Sequence, residues 1–224
     1  MARACNDQSI RVRRSHTWSR PDGPLWPGRH NVVVAQCEIA VEPAVHPALA
    51  ARFSPVSFDR DAVVSDAQVD VLLDAARLTP SAGNSQPWMF VVGRRGDATH
   101  ARIARHLAPS SARWALDASV LVVNLAHILV EGTTWEYSEF ARYDLGQAVV
   151  HMTIQGLALG VSAHQFRAFD RDGLAREFAV PAEWEVTSTT ALGVPARVAD
   201  DSPNSGTDRS RRSRADVTWA RTVI

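Results

Sequence analysis

The sequence contains no lysine. All 24 basic residues are arginine, matched by 24 Asp and Glu, so the formal net charge is zero. This absence removes every mechanism that needs a lysine amine, including Schiff-base formation and the lysine of a P-loop. The charge balance disfavours nucleic acid as a partner, because a protein that binds it carries a basic excess. Cysteine is scarce: Cys5 and Cys37 are the only two, both among the first forty residues. Such a pair makes neither a disulfide framework nor a zinc site. No apolar run reaches the roughly 18 residues of a membrane-spanning helix, so no membrane partner is expected. Arg13-Arg14 is a pair of the kind seen in export signals, but only Val32-Val33-Val34-Ala35 follows where an apolar region belongs. A cytoplasmic protein is expected. Catalytic signatures are missing too. There is no Gly-x-Ser-x-Gly, no His-Glu-x-x-His and no Gly-x-Gly-x-x-Gly. The eight histidines lack ligand spacing, so no metal site is expected. An enzyme without its own acid, base or nucleophile takes its chemistry from an organic cofactor.

What is present describes a folded protein. The chain has 224 residues, 46% hydrophobic and 21% charged, enough for a buried core. Residues 1–43 mix Arg, Pro, Gly and Ser with isolated Trp18 and Trp26, without helical or strand periodicity. They are expected to form a poorly ordered N-terminal extension ahead of a domain spanning 44–224.

From Ser65 to Leu78 apolar residues recur at Val69, Leu72, Leu73, Ala76 and Leu78, with Ser65 as N-cap. This predicts an amphipathic helix that Pro80 stops. A loop, 81–87, leads to a strand at 88–92, and a short helix is expected over 98–107. The apolar run Ser119–Leu125 predicts a central strand. Asp144–Gly160 has helical length and apolar residues on nearly every face, with Gly160 as a terminator. It predicts a buried helix against another helix or a partner subunit. Residues 161–166 and 187–194 read as extended segments, the second closed by Pro195, and 200–210 as a polar linker. Alternating helices and strands imply an α+β or α/β sandwich around one sheet.

Four segments carry chemistry. They are Arg52-Phe53-Ser54-Pro55-Val56, Pro80-Ser81-Ala82-Gly83-Asn84-Ser85-Gln86-Pro87-Trp88, His164-Gln165-Phe166-Arg167-Ala168, and Arg209-Ser210-Arg211-Arg212. In order and spacing the set resembles the nitroreductase family of FMN-dependent oxidoreductases, over about residues 46–217. Asp144-Leu145-Gly146-Gln147 followed by His164-Gln165 is similar to a short bacterial branch. The resemblance implies a nitroreductase-like α/β sandwich, with a mostly antiparallel central sheet flanked by helices, in a homodimer whose flavin site lies at the interface.

It also implies roles. Arg52, Phe53 and Ser54 match the family's phosphate-binding segment, and Arg209 and Arg211 match its C-terminal basic pair on the same phosphate. Guanidinium forks and hydroxyls suit a phosphate dianion. Pro80, Ser81, Ala82 and Asn84 match the loop at the flavin edge, which reaches the partner's flavin, while Gln86 and Trp88 either serve the cofactor or hold the loop. Asn84 can both donate and accept toward an amide-like ring edge. In Gln165, Phe166, Arg167 and Ala168 the family places a backbone N–H near flavin N5, supplied here by Arg167 or Ala168. Trp135, Tyr137 and Phe140 fall where relatives shape the substrate side, as candidate pocket walls or as core.

The implied activity is ping-pong hydride transfer from NAD(P)H, through flavin N5, to an electron-poor acceptor such as a nitroaromatic or quinone. No side chain is assigned as a general acid. Two departures stand out. Val56 occupies a place where the family commonly has a basic residue, and Ser213-Arg214 replaces Pro and an apolar residue. A flavin-dependent dehydrogenase or oxidase on the same fold, and a non-catalytic flavin-binding protein, are the alternatives.

Overall fold

The longest apolar run becomes the second strand of a four-stranded sheet, Val120–His127, here β2. It pairs with β1 (Trp88–Arg94) on one side and β4 (Trp184–Gly193) on the other, while β3 (Ser162–Phe166) forms the far edge. The order β1-β2-β4-β3 is antiparallel throughout, as expected from the resemblance. The computed structural model describes residues 44–196 and 210–222. The expected extension 1–43, most of the linker, and Arg209 lie outside the described residues.

Side chains of β2 alternate between two cores. Val120, Val122 and Ala126 join one cluster, with Leu72, Leu145, Met152 and Leu192. Leu121, Val123 and Leu125 join another, with Ile103, Leu174 and Ala191. A strand buried on both faces reads as an unbroken apolar run, which is why its alternation is invisible in the sequence. A bulge in β4 opposite Asn124 and Leu125 changes its facing. Leu192 belongs to the first core, but Val186, also even-numbered, belongs to the second. One extra residue, Thr187, flips the pattern.

Two long helices cover the first face. In α2 (Asp66–Arg77) Ser65 and Gln68 form a reciprocal capping box, which contributes about 1 kcal/mol. The second long helix runs Ala141–Ala158, three residues earlier at its start than the sequence suggested. A short helix at Pro47–Ala51, α1, precedes both; it makes the long helix α5 in chain order. Gly160 ends α5 at φ 73°, and Val161 N–H bonds back to the Gly156 carbonyl at 2.8 Å, a Schellman closure. A Cβ on Gly156 would lie 2.9 Å from the Val161 carbonyl oxygen and 3.6 Å from Leu72. Glycine there permits both the closure and the approach of α2.

Three short helices cover the opposite face: α3 (Ala98–Ala104), α4 (Pro109–Ala115) and α6 (Arg171–Glu177). Of these, only α3 has a counterpart in the sequence reading. Glu177 binds α6 to α3 through Arg102, Arg105 and His106. No helix of the described residues is long and apolar enough to cross a membrane.

The reading of α5 as apolar all round is half met. One side is buried through Ala141, Leu145, Ala148, Val149 and Met152. The other exposes Tyr143 at 67% and Val150 at 49%, with Phe140 just before it at 45%.

Candidate functional site

Two concave regions flank the exposed side of α5. The first is a cleft of about 400 Å³ lined by Leu49, Arg52, Ser54, Val150, Thr153, Ile154, Ala163 and Gln165. It brings Arg52, Ser54 and Gln165, distant in sequence, to one place. Short α1 delivers Arg52 as its C-cap residue. The chain then crosses the sheet edge, since Phe58 is buried in the core of the opposite face. Asp59 N–H to the Val194 carbonyl, 2.9 Å, and Ala196 N–H to the Ser57 carbonyl, 3.0 Å, fix that crossing. His164 of β3 holds it as well: its Nδ1 lies 2.8 Å from the Pro55 carbonyl oxygen, so Nδ1 carries the proton and donates. The His164 ring stacks on Trp114 with centroids 4.4 Å apart. Burial pushes its pKa down, and the bond to Pro55 opposes this.

The electrostatics of the cleft suit an anion. Among the described residues no carboxylate pairs with Arg52, whose Nη1 donates to Ser54 Oγ at 3.3 Å. A guanidinium next to a hydroxyl, both half-buried and without a counter-ion, fits a phosphate. On the β3 side, the exposed Gln165 donates its Nε2 to buried Thr153 Oγ1 at 3.3 Å, and that hydroxyl donates to the Val149 carbonyl at 2.7 Å. Leu49, Val150, Ile154 and Ala163 supply an apolar wall.

The second region is a depression of about 300 Å³ lined by Pro80, Ser81, Ala82, Phe140, Tyr143, Asp144 and Gln147. The loop above it is unusual in its backbone. Gly83, Asn84 and Gln86 all have positive φ, at 59°, 57° and 48°. Asn84 and Gln86 are exposed. Ser81 Oγ accepts the Gln86 N–H at 3.0 Å, closing the loop on itself. The Arg52 cleft and this depression use different turns of α5, centred near Thr153 and Asp144. Nine residues at 1.5 Å each separate them by about 14 Å along the helix.

The remaining expected residues are placed as follows. Phe53 is half-buried between the two cleft residues in sequence. Phe166 turns away from the cleft and packs edge-on against Trp114 and Phe169. Arg167 sits over the Phe169 ring at 4.7 Å, so its guanidinium is engaged. Ala168 accepts from Ala108 N–H at 3.0 Å through its carbonyl, while its own N–H has no backbone partner among the described residues. That leaves it available as a donor. Arg211 is exposed and donates to the neighbouring Ser210 carbonyl at 2.7 Å; no described contact links it to Arg52. Trp135 is 75% exposed. Phe140 lines the depression.

Tyr137 does something else. Its ring stacks on His127 at 3.8 Å, which stacks on Trp184 at 4.5 Å. Its hydroxyl donates to the Ser85 carbonyl at 2.9 Å. A second residue of this region, Asp144, is 2% exposed; the sequence offers it only within the Asp144–Gln147 motif, with no role of its own. Its Oδ2 accepts the Ala82 N–H at 3.0 Å and its Oδ1 accepts Gln147 Nε2 at 3.2 Å. The available signal was a carboxylate one position before the apolar stretch of a buried helix, where charge needs a partner. No group of His, Cys, Asp or Glu among the described residues is arranged to hold a metal.

Comparison with known proteins bears on the family segment and the fold. The model of the Nitroreductase family matches residues 49–123, which span Arg52, Ser54 and the whole 80–88 loop. No curated protein matches. Among solved structures, an oxidoreductase containing FMN is similar at 26% identity over 70% of this chain and 80% of that chain, with a TM-score of 0.64. A nitroreductase family protein from Clostridium difficile 630 is similar at 18% identity, covering 79% and 97%, with a TM-score of 0.63. A protein from Desulfovibrio desulfuricans, solved in complex with FMN, is similar at 23% identity, covering 81% and 100%, with a TM-score of 0.62.

Proposed function

We propose that this chain, which carries a nitroreductase-family segment at residues 49–123 within a nitroreductase-like fold, is an FMN-dependent oxidoreductase. One observation carries the reading: the Arg52 guanidinium and Ser54 hydroxyl stand without a described carboxylate at a cleft that Gln165 also lines. FMN, when bound, supplies a ring that accepts hydride from NAD(P)H and passes it to an electron-poor acceptor, such as a nitroaromatic or quinone, in alternating half-reactions.

The protein's own share is binding and orientation. Arg52 and Ser54 would hold the phosphate. The apolar wall of Val150 and Ile154 shields one side of the cleft from water. The free N–H of Ala168 would donate toward the ring's reactive nitrogen, and Asn84 toward its amide-like edge. Val56 leaves that edge without a cation, so electron-rich ring states gain less stabilisation than a lysine or arginine would give. We assign no side chain as a general acid.

The separation of the two regions supports a homodimer. Phe140, Tyr143 and Val150 expose apolar surface along the side of α5 that joins them. A second copy packed head to tail along this side would set the loop of one protomer beside the cleft of the other. The test is a visible spectrum of purified protein, before and after anaerobic NADPH or NADH. A band near about 450 nm that bleaches supports the reading, the band being a property of oxidised flavin itself. A colourless protein that takes up no added FMN overturns it. A yellow protein that only molecular oxygen reoxidises would favour the oxidase alternative.

A further inference from the structure

The 81–86 loop has three left-handed residues within four positions, Gly83, Asn84 and Gln86. Glycine adopts this region freely and asparagine does so at small cost, but glutamine does not. Such a backbone persists only where its surroundings over-determine it. Two side chains from outside the loop do so here, and they grip it at opposite ends. The buried Asp144 carboxylate takes the Ala82 N–H at 3.0 Å. The Tyr137 hydroxyl donates to the Ser85 carbonyl at 2.9 Å. Between these grips lie Gly83 and Asn84, which make the exposed tip.

Both anchors are themselves rigid. Asp144 sits in the first turn of α5, and Gln147 one turn on donates to its second oxygen at 3.2 Å. Tyr137 is the outer ring of the three-ring stack with His127 and Trp184. Neither anchor carries an ion pair with a described cation. Tyr137 spends its hydroxyl on the loop, and Asp144 one of its two carboxylate oxygens.

The geometry points to Asp144 and Tyr137 as positioning residues that hold the Ala82–Ser85 tip in its left-handed form, so that Asn84 meets the flavin ring edge pre-organised. Neither touches the ring. The proposal rests on the FMN reading above, and it assigns Tyr137 to the loop and not to a substrate wall. Its energetic content is pre-organisation: a loop already in its bound form pays no ordering entropy on binding.

The experiment measures binding of FMN and of riboflavin by fluorescence quenching, with full-length wild type, Asp144→Leu, Asp144→Asn and Tyr137→Phe. Riboflavin lacks the phosphate, so it reports the ring end alone. Asp144→Leu frees the loop to leave its bound form, so that ordering it again falls on binding, and it is expected to weaken both ligands by about tenfold. Tyr137→Phe keeps the ring stack and should weaken both by a smaller factor. Asp144→Asn retains an acceptor for Ala82 and, with Gln147 turned about, should restore most of the affinity. The midpoint potential of the bound flavin should shift in Asp144→Leu and Tyr137→Phe, which a purely structural role would not produce.

Equal affinity for riboflavin in wild type and Tyr137→Phe, with an unchanged potential, overturns the proposal. So does a loss in Asp144→Leu that affects FMN but spares riboflavin. If Asp144→Leu fails to fold, Tyr137→Phe alone decides. Failure of wild type to bind either ligand defeats the FMN reading instead, so the two failures are distinguishable.

Discussion

The two faces of the sheet divide labour. On the face under α3, α4 and α6, buried side chains are mostly aliphatic or aromatic, with His100, Ser111 and Thr189 among them, and Glu177 ties α6 to α3. On the face under α2 and α5, polar groups enter the interior. Asn124 is fully buried and donates to Ser188 and Thr190 hydroxyls at 3.0 and 2.9 Å. Thr153, 4% exposed, meets Gln165 at the cleft. Both concave regions open on this second face. Both faces bury polar side chains, so what separates them is the cleft and the depression, both of which lie on the second.

The largest expected effect breaks the first side. Leu174 is fully buried in the α3/α4/α6 core. Leu174→Ala should destabilise by about 2–5 kcal/mol through lost transfer energy and a cavity. The folded fraction should still bind FMN with unchanged stoichiometry and affinity. Denaturant unfolding with and without FMN measures both. A change in FMN affinity beyond twofold would mean that the faces are coupled.

The converse case is Arg52→Ala. It should lower FMN affinity by about tenfold to a hundredfold, as expected for a charge-assisted bond of about 1.5–3 kcal/mol. Stability without FMN should move by less than about 0.5 kcal/mol, the usual range for a side chain outside the core. Riboflavin affinity should not change, because riboflavin lacks the phosphate. A parallel loss for riboflavin would remove the phosphate role.

How far the sequence reveals each side follows from the same division. Period and punctuation expose the long elements: Ser65 with Gln68 marks the start of α2, Gly160 the end of α5, and unbroken apolar runs the inner strands. The α3/α4/α6 side is built from seven-residue helices too short to show a period. Pro109–Ala115 has no side-chain cap, and Arg171–Glu177 contains Gly173, a poor helix former. Asp170 caps the latter through the Gly173 N–H at 2.9 Å, a signal present in the sequence but weak. The start of α5 was displaced because Phe140 offers no side-chain cap. The bulge at Thr187 depends on strand pairing, which no local pattern encodes.

On the site, the residues that line the two concave regions are legible and those that hold them are less so. Arg52, Ser54 and Gln165 share a cleft, and Pro80, Ser81 and Ala82 share another. Phe166 and Arg167, expected beside them, turn their side chains to aromatic neighbours instead, which leaves only their backbone for a ligand. The anchors Asp144, Tyr137 and His164 act across 50 residues or more of sequence, through single contacts. Asp144 carries one local hint, a carboxylate ahead of an apolar helix stretch, while Tyr137 and His164 carry none for the contacts they make.

A smaller effect separates two histidines, one buried within the α3/α4/α6 side and one half-buried against Trp114 that also holds the cleft segment through Pro55. His100, in α3, and His164, beside the cleft, both have pKa values lowered from 6.5, chiefly by burial. Asp97 opposes the shift at His100, and Arg95 adds to it. A depressed folded pKa means that the native state resists protonation. Stability is whole above about 6.5 and falls as pH drops below it toward the folded values. His100→Phe should flatten that acid limb and leave FMN affinity alone. His164→Phe should flatten it too and also weaken FMN a few-fold, because the Pro55 carbonyl loses its donor while stacking on Trp114 is kept. Melting curves from pH 7.5 to 5, with FMN titrations at pH 7.5, make the comparison. Equal FMN effects from both variants would erase the distinction between the faces.

The smallest expected effect belongs to Glu177. Arg102, then His106, hydrogen-bond its carboxylate and hold its pKa below the usual 4.5. A lowered carboxylate pKa contributes stability above the ordinary value and loses it as pH falls through the folded one. Glu177→Gln should therefore cost a few degrees of melting temperature near pH 7 and nothing near pH 3. Added salt should shrink the difference, because solvent reaches the cluster and screens it. FMN affinity should be untouched at any pH where the protein is folded. A melting difference that persists near pH 3 would locate the contribution of Glu177 in packing and not in charge, and the α3–α6 tie would then be no different in kind from the aliphatic core beneath it.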